Sequence, residues 1–231
     1  SGFPKPSESP YDVHPSGHAS DSLSVALGCA MARDLRGSHE KVAAIIGDAA
    51  LSGGMAFEAL NHIGQTQTQM AVILNDNGMS IAPNVGAMSE YLSRFRVAPG
   101  YHRAKQDIKS FLKSIPHIGE RVCRTAEQIK DGVRSVLVPG SIFTDMGFQY
   151  IGPLDGHNIA LLLDVFEQAK HLKGPLLIHV ETCKGKGYAP AEQAPDKFHG
   201  IGKFDVVDGT TLQKTDARPT YTSVFGKALL K

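Results

Sequence analysis

The sequence predicts an α/β protein with a doubly wound, mainly parallel sheet and helices on both faces. Three observations predict it. Short continuous apolar runs of strand length occur at residues 42–46 and 70–74, and a further strand-like segment lies at 176–181. Segments of helical period separate them, and polar residues collect where each run ends. Runs of this kind suit strands buried on two faces, and the alternation of strand and helix favours parallel neighbours joined by crossovers.

Residues 1–17 hold Pro4, Pro6, Pro10 and Pro15 and form a loop. Leu23, Ala26, Leu27, Ala30 and Met31 then recur at helical spacing, which predicts a helix over 21–36, capped by Ser20 or Asp21 and ended by Gly37. The run 42–46 closes at Gly47 and the run 70–74 closes at Asn75, and both read as central strands. A helix over 53–63 connects them, with Met55 and Phe57 assigned to the core. Residues 96–140 read as a variable helical insertion. Beyond them follow a strand over 148–151, a loop over 152–158 in which Asp155 and His157 are structural, a helix over 159–172 and a strand over 176–181. Residues from Tyr221 begin a further helix. These elements place one domain at 1–215, with a linker and the start of a second domain at 216–231.

Composition narrows the function. With 231 residues, 42% hydrophobic and 20% charged, the chain can bury a sizeable core. A formal net charge of +1 without clustered Lys or Arg gives no electrostatic footprint for nucleic acid. No apolar stretch approaches the roughly 18 residues of a membrane span. Cys29, Cys123 and Cys183 are odd in number and widely spaced, which fits a reducing cytoplasm and no disulfide framework. A small molecule is the expected partner.

Asp48 follows the first strand, and Asn77 lies 29 positions later, after the second. Parallel neighbours bring those ends together, where open sheets bind ligands. A carboxylate and an amide oxygen are hard ligands suited to Mg²⁺, with phosphate oxygens and water completing the shell. The small residues Ala49, Ala50, Gly53 and Gly54 allow backbone N–H groups to approach an anion. Taken singly, Asp48 could be a helix cap and 75–78 a turn; their pairing at consecutive strand ends favours a metal-diphosphate site.

A Gly-Asp pair, nearly thirty residues and a closing Asn resemble the thiamine diphosphate fingerprint. The continuation Asn75-Asp-Asn-Gly-Met-Ser-Ile-Ala-Pro-Asn-Val-Gly-Ala87 resembles the 1-deoxy-D-xylulose-5-phosphate synthase family. Gly17-His-Ala-Ser20, Gly54-Met-Ala-Phe-Glu-Ala-Leu-Asn61, Lys184-Gly-Lys-Gly-Tyr188 and Phe198-His-Gly-Ile-Gly-Lys-Phe-Asp205 match as well.

The resemblance implies a transketolase-like transferase that binds thiamine diphosphate and Mg²⁺. It would condense pyruvate with D-glyceraldehyde 3-phosphate, with loss of CO₂, as a cytoplasmic homodimer when full length. It assigns the metal to Asp48, Asn77 and the carbonyl of Met79, and the cofactor to Gly17, His18, Ala19, Asp48, Ala49, Ala50, Asn77 and Tyr188. His199, with His18, would act on the substrate side, and Lys184 would lie in the same region.

The chain departs from the family pattern at Ala49, where Gly is usual, and at Gly78, where an acid is usual. It is also expected to be incomplete at both ends and inactive alone, since family members carry an upstream His segment and a downstream Glu. Two alternatives stay open: the N-terminal subunit of a split transketolase, and a non-catalytic Mg²⁺-diphosphate binding module.

Overall fold

The computed structural model describes residues 3–97, 142–212 and 218–230, with backbone alone for 95–97. The chain divides into two compact units, Ser1–Cys183 and Lys184–Lys231. The insertion expected at 96–140, beyond its first two residues, and the boundary expected at 215/216 lie outside the described residues. So does Cys123.

In the first unit, helix α1 (Ser22–Arg36) buries Leu23, Ala26, Leu27 and Ala30 along one stripe, while Met31 stays 38% exposed on its flank. It stops at Gly37, whose left-handed φ of 66° lets its N–H reach back to the Arg33 and Asp34 carbonyls. Neither expected cap forms at the start. Asp21 occupies the N-cap position without a side-chain cap bond, and its carboxylate accepts instead from the Ser16 hydroxyl. Ser20 turns away at φ 76°, and its hydroxyl donates to the Ala50 carbonyl at 2.7 Å. A Cβ on Gly53 would come within 2.4 Å of that hydroxyl oxygen, so the close approach requires glycine there.

Strands β1 (Ala43–Gly47) and β2 (Ala71–Asp76) are joined through two helices, α2 (Asp48–Leu51) and α3 (Gly54–Thr66). The short α2 was not expected, and α3 runs three residues past the expected end. Its inward stripe is Ala56, Ala59, Leu60 and Ile63; Met55, expected in the core, is 47% exposed and Phe57 is half-buried. Helix α4 (Ala87–Val97) and the turn α5 (Ile142–Asp145) follow among the described residues, then β3 (Gln149–Asp155), α6 (Ile159–Ala169) and β4 (Leu176–Glu181). β3 extends into the segment expected to be a loop, with a register irregularity between Ile151 and Leu154.

The four strands lie in the order β1-β2-β4-β3, all parallel. One face carries the larger core, in which Ala44, Ile46, Val72, Leu74, Leu177 and Tyr150 meet residues of α1 and α3. On the other face α6 covers Ile151, Leu154, Ile178 and Val180 with Val165 and its neighbours. The sheet is therefore doubly wound, as expected. Among the described residues, however, β1 is not a central strand. It sits at the edge, and its burial alternates, leaving Ile45 68% exposed because α6 lies over β3 and β4 instead.

Gly64 on α3 packs against the end of α5, where an added Cβ would lie 1.9 Å from the Met146 carbonyl oxygen. Gly64→Ala is expected to cost about 1–3 kcal/mol, the usual penalty of overpacking, measured by thermal melting.

In the second unit, the short helix α7 (Ala189–Gln193) follows Tyr188, and α8 (Tyr221–Leu229) is capped by the Thr220 hydroxyl, which accepts from the Ser223 amide at 3.1 Å. Among the described residues no helix is long and apolar enough to cross a membrane.

Candidate cofactor and metal site

The parallel register sets Gly47 beside Asn75, so the turns after β1 and β2 leave the sheet side by side. Asp48, the first residue of α2, is only 5% exposed. Its Oδ2 accepts from the Gly78 amide at 2.9 Å and from the Asn84 side-chain amide at 2.7 Å. The same Gly78 amide donates to Asp76 Oδ1 at 3.1 Å. One N–H is thus shared between two buried carboxylates.

Burial first, and then the neighbouring Asp76 carboxylate, raise the Asp48 carboxyl above its ordinary range; the amides of Gly78 and Ala49 only partly offset this.

The loop after β2 is shaped to carry these contacts. Asn77 Oδ1 accepts from the Met79 amide at 3.0 Å, the Asn84 amide donates to the Gly78 carbonyl at 3.0 Å, and Met79 bridges Pro83. Gly78 itself has φ 69°. Glycine takes that conformation without the cost that an L side chain meets there, so this departure from the family pattern suits the loop. Ala49 is helical and absent from the residues with left-handed φ, so the second departure carries no backbone strain.

Asp48 and Ala49 line a cavity of about 400 Å³, with Ser52 and Asn84 on its wall. His18, Ala19 and Ala50 line a separate, larger one of about 660 Å³ beside β1. Gly17, in the same exposed loop, lies against the Phe3 ring. The structure therefore brings Asp48 to the 77–79 loop, and groups the 17–19 segment with Ala50 through the Ser20 bond.

Tyr188 and His199 belong to the second unit. There Tyr188 is a packing residue, edge-on to Phe198 at 5.6 Å and tilted against Phe204 at 6.1 Å, while its hydroxyl donates to the Val206 carbonyl at 2.9 Å. His199 is exposed, with Nδ1 2.7 Å from the Lys184 ammonium. An ammonium can only donate, so Nδ1 accepts and the ring proton sits on Nε2, free of the lysine side. Asp155 and His157 are structural. Asp155 accepts from the His157 amide at 3.0 Å, and the His157 ring accepts from the Cys183 amide at 2.8 Å.

Sequence reasoning missed Asn84, which steadies Asp48, and Asp76 and His179 behind it. Asn84 stands within the quoted 75–87 motif and could have been found there. His179 sits inside an apolar strand run and carries no local signal.

The family profile described as 1-deoxy-D-xylulose-5-phosphate synthase matches residues 1–182. The chain belongs to the 1-deoxy-D-xylulose-5-phosphate synthase family. Curated synthases of this name from Natranaerobius thermophilus and Desulforudis audaxviator are each 55% identical to it, covering 99% and 100% of this chain. The synthase of Clostridium tetani is 53% identical over 100% of the chain. The chain spans 36% of the length of the first two and 37% of the third. A solved transketolase from Campylobacter jejuni aligns with a TM-score of 0.49 at 19% identity, covering 79% of this chain and 23% of that one.

Proposed function

We propose that this chain is the cofactor-anchoring part of a 1-deoxy-D-xylulose-5-phosphate synthase. The full-length enzyme joins pyruvate and D-glyceraldehyde 3-phosphate with loss of CO₂, as a cytoplasmic homodimer. The observation that supports the site is the meeting of Asp48 with the 77–79 loop, where two buried carboxylates share a single amide donor. Two such groups repel at close range, and a bound dication relieves that repulsion.

The donor set fits Mg²⁺: the Asp48 carboxylate, the Asn77 side-chain oxygen and the Met79 carbonyl are hard ligands, with diphosphate oxygens and water filling the remaining positions. When bound, thiamine diphosphate supplies the carbon nucleophile and electron sink for decarboxylating pyruvate. The residues of this chain hold and orient it. Asp48 would hold the cation against the diphosphate, and Asn84 keeps the Asp48 carboxylate turned toward the loop. His18 and Ala19 form the wall beside Ala50. Within the second unit, Lys184 donates to His199 Nδ1, which leaves the ring proton on Nε2 as a hydrogen-bond donor.

Calorimetric titration of the chain with thiamine diphosphate tests the anchor. Binding is expected with Mg²⁺ and not with a chelator; equal heats in both, or none in either, would overturn it. For the reaction, the full-length protein with both substrates should release CO₂ and yield a product of the mass of 1-deoxy-D-xylulose 5-phosphate.

A further inference from the structure

Behind the strand ends runs a polar chain that the proposed cofactor contacts do not use. His179 on β4 is fully enclosed at 0% exposure, and Asp76 and Tyr150 are each at 1%. The Tyr150 hydroxyl lies 2.7 Å from His179 Nδ1, and Nε2 lies 3.0 Å from Asp76 Oδ2. The other oxygen of Asp76 accepts the Gly78 amide. The register places His179 beside Leu74, so its ring crosses to the Asp76 carboxylate two residues further along β2. All three side chains stand in the layer that otherwise holds Leu74 and Leu177.

The protons can be assigned. A carboxylate accepts from both partners, which puts the ring proton on Nε2 and leaves Nδ1 to accept. Tyr150 can supply that bond, because burial first and nearby charge second raise its hydroxyl well above the ordinary tyrosine range and keep it protonated. The order is Tyr150 to His179 to Asp76, with Gly78 donating from the far side. A buried polar chain is a weak source of stability compared with well-packed apolar residues, and its best-attested use is to fix one arrangement among several.

We propose that His179 is a positioning residue for the cation site. It holds the Asp76 carboxylate with one oxygen turned to the Gly78 amide, and thereby presets the loop that carries Asn77 and Met79. The inference rests on the reading of Asp48, Asn77 and Met79 as the Mg²⁺ ligands. In metal sites, partners one step behind the ligands orient them, and their loss costs about 10–100-fold in metal affinity.

The test uses the whole chain with two readouts: exchange of the Gly78 amide by NMR without metal, and the Mg²⁺ concentration needed for thiamine diphosphate binding by calorimetry. His179→Leu is expected to speed Gly78 exchange and to weaken Mg²⁺ by about 10–100-fold. His179→Gln, whose side-chain NH₂ reaches the position of Nε2–H, should restore both toward the parent values. Tyr150→Phe keeps the ring but frees its orientation, and should shift both readouts in the direction of His179→Leu; it serves as the decisive variant if His179→Leu fails to fold. Variants that melt lower yet keep parental Gly78 exchange and Mg²⁺ affinity would make the chain merely structural and overturn the proposal. A parent that binds no Mg²⁺ overturns the ligand reading, and the cation role of His179 with it; a parent that binds while the variants are unaffected overturns the His179 role alone.

Discussion

Asp48→Asn is expected to make the metal-free chain more stable while removing its hold on Mg²⁺. The Asp48 carboxyl is raised by burial and by Asp76, so its folded value exceeds its unfolded one. The stability contributed by such a group is fully present below the unfolded value and is lost as pH rises through the folded value. Above that raised value, the parent therefore carries an unfavourable charge pair in its folded state. Asparagine keeps an oxygen for the Gly78 and Asn84 donors and removes the charge.

A gain of about 0.5–2 kcal/mol, the common yield of one stabilising substitution, is expected at neutral pH. It should vanish as pH falls below the unfolded value, where the parent carboxyl is protonated. Binding moves the other way. Loss of Asp48, proposed as a direct ligand, should weaken Mg²⁺-dependent thiamine diphosphate binding by more than the roughly 10–100-fold of an outer partner. Melting temperature against pH, with Mg²⁺ and with chelator, reads both effects. A variant less stable than the parent in chelator at neutral pH would contradict the account.

Gly152→Ala is expected to have the largest effect on stability. Gly152 lies in β3 at φ 140°, a conformation that L side chains rarely adopt. A Cβ there would stand 2.6 Å from the His179 carbonyl oxygen and 2.8 Å from His179 Cβ. Backbone on a central strand cannot swing aside as the end of a flexible side chain can. Strain and overlap each cost about 1–3 kcal/mol, so a loss of about 3 kcal/mol or more follows. The damage should also spread to Gly78, since β3 would be pushed off the strand that carries His179. Chemical denaturation with a parallel measurement of Gly78 exchange checks both. An unchanged midpoint would show that β3 yields more easily than its contacts imply.

The elements with strong local signals were legible in the sequence. β4 runs over the expected residues, and Gly37 ends α1 as its position dictates. What misled was burial. The apolar run of β1 has the composition of a central strand, yet composition carries no information about which neighbour covers each face, and Ile45 is left open. The place of Ser20 before a helix suggests a cap, but a tertiary bond to the Ala50 carbonyl wins over the local one.

The site divides in the same way. Asp48 and the 77–79 loop could be paired because parallel register makes consecutive strand ends neighbours. The bond from His179 to Asp76 joins residues 103 positions apart, and nothing in their local sequence announces it. The resemblance points to Tyr188, whose ring and hydroxyl are engaged within the second unit.

The Ser20 hydroxyl and the hydrogen of Gly53 occupy what would otherwise be one side chain's volume. The two positions are therefore not free to drift independently. A side chain at 53 would overlap the one at 20. Glycine at 20, at home at a φ of 76°, would remove that overlap. With Ser20 in place, the loop carrying His18 and the turn carrying Ala50 are held together through its hydroxyl.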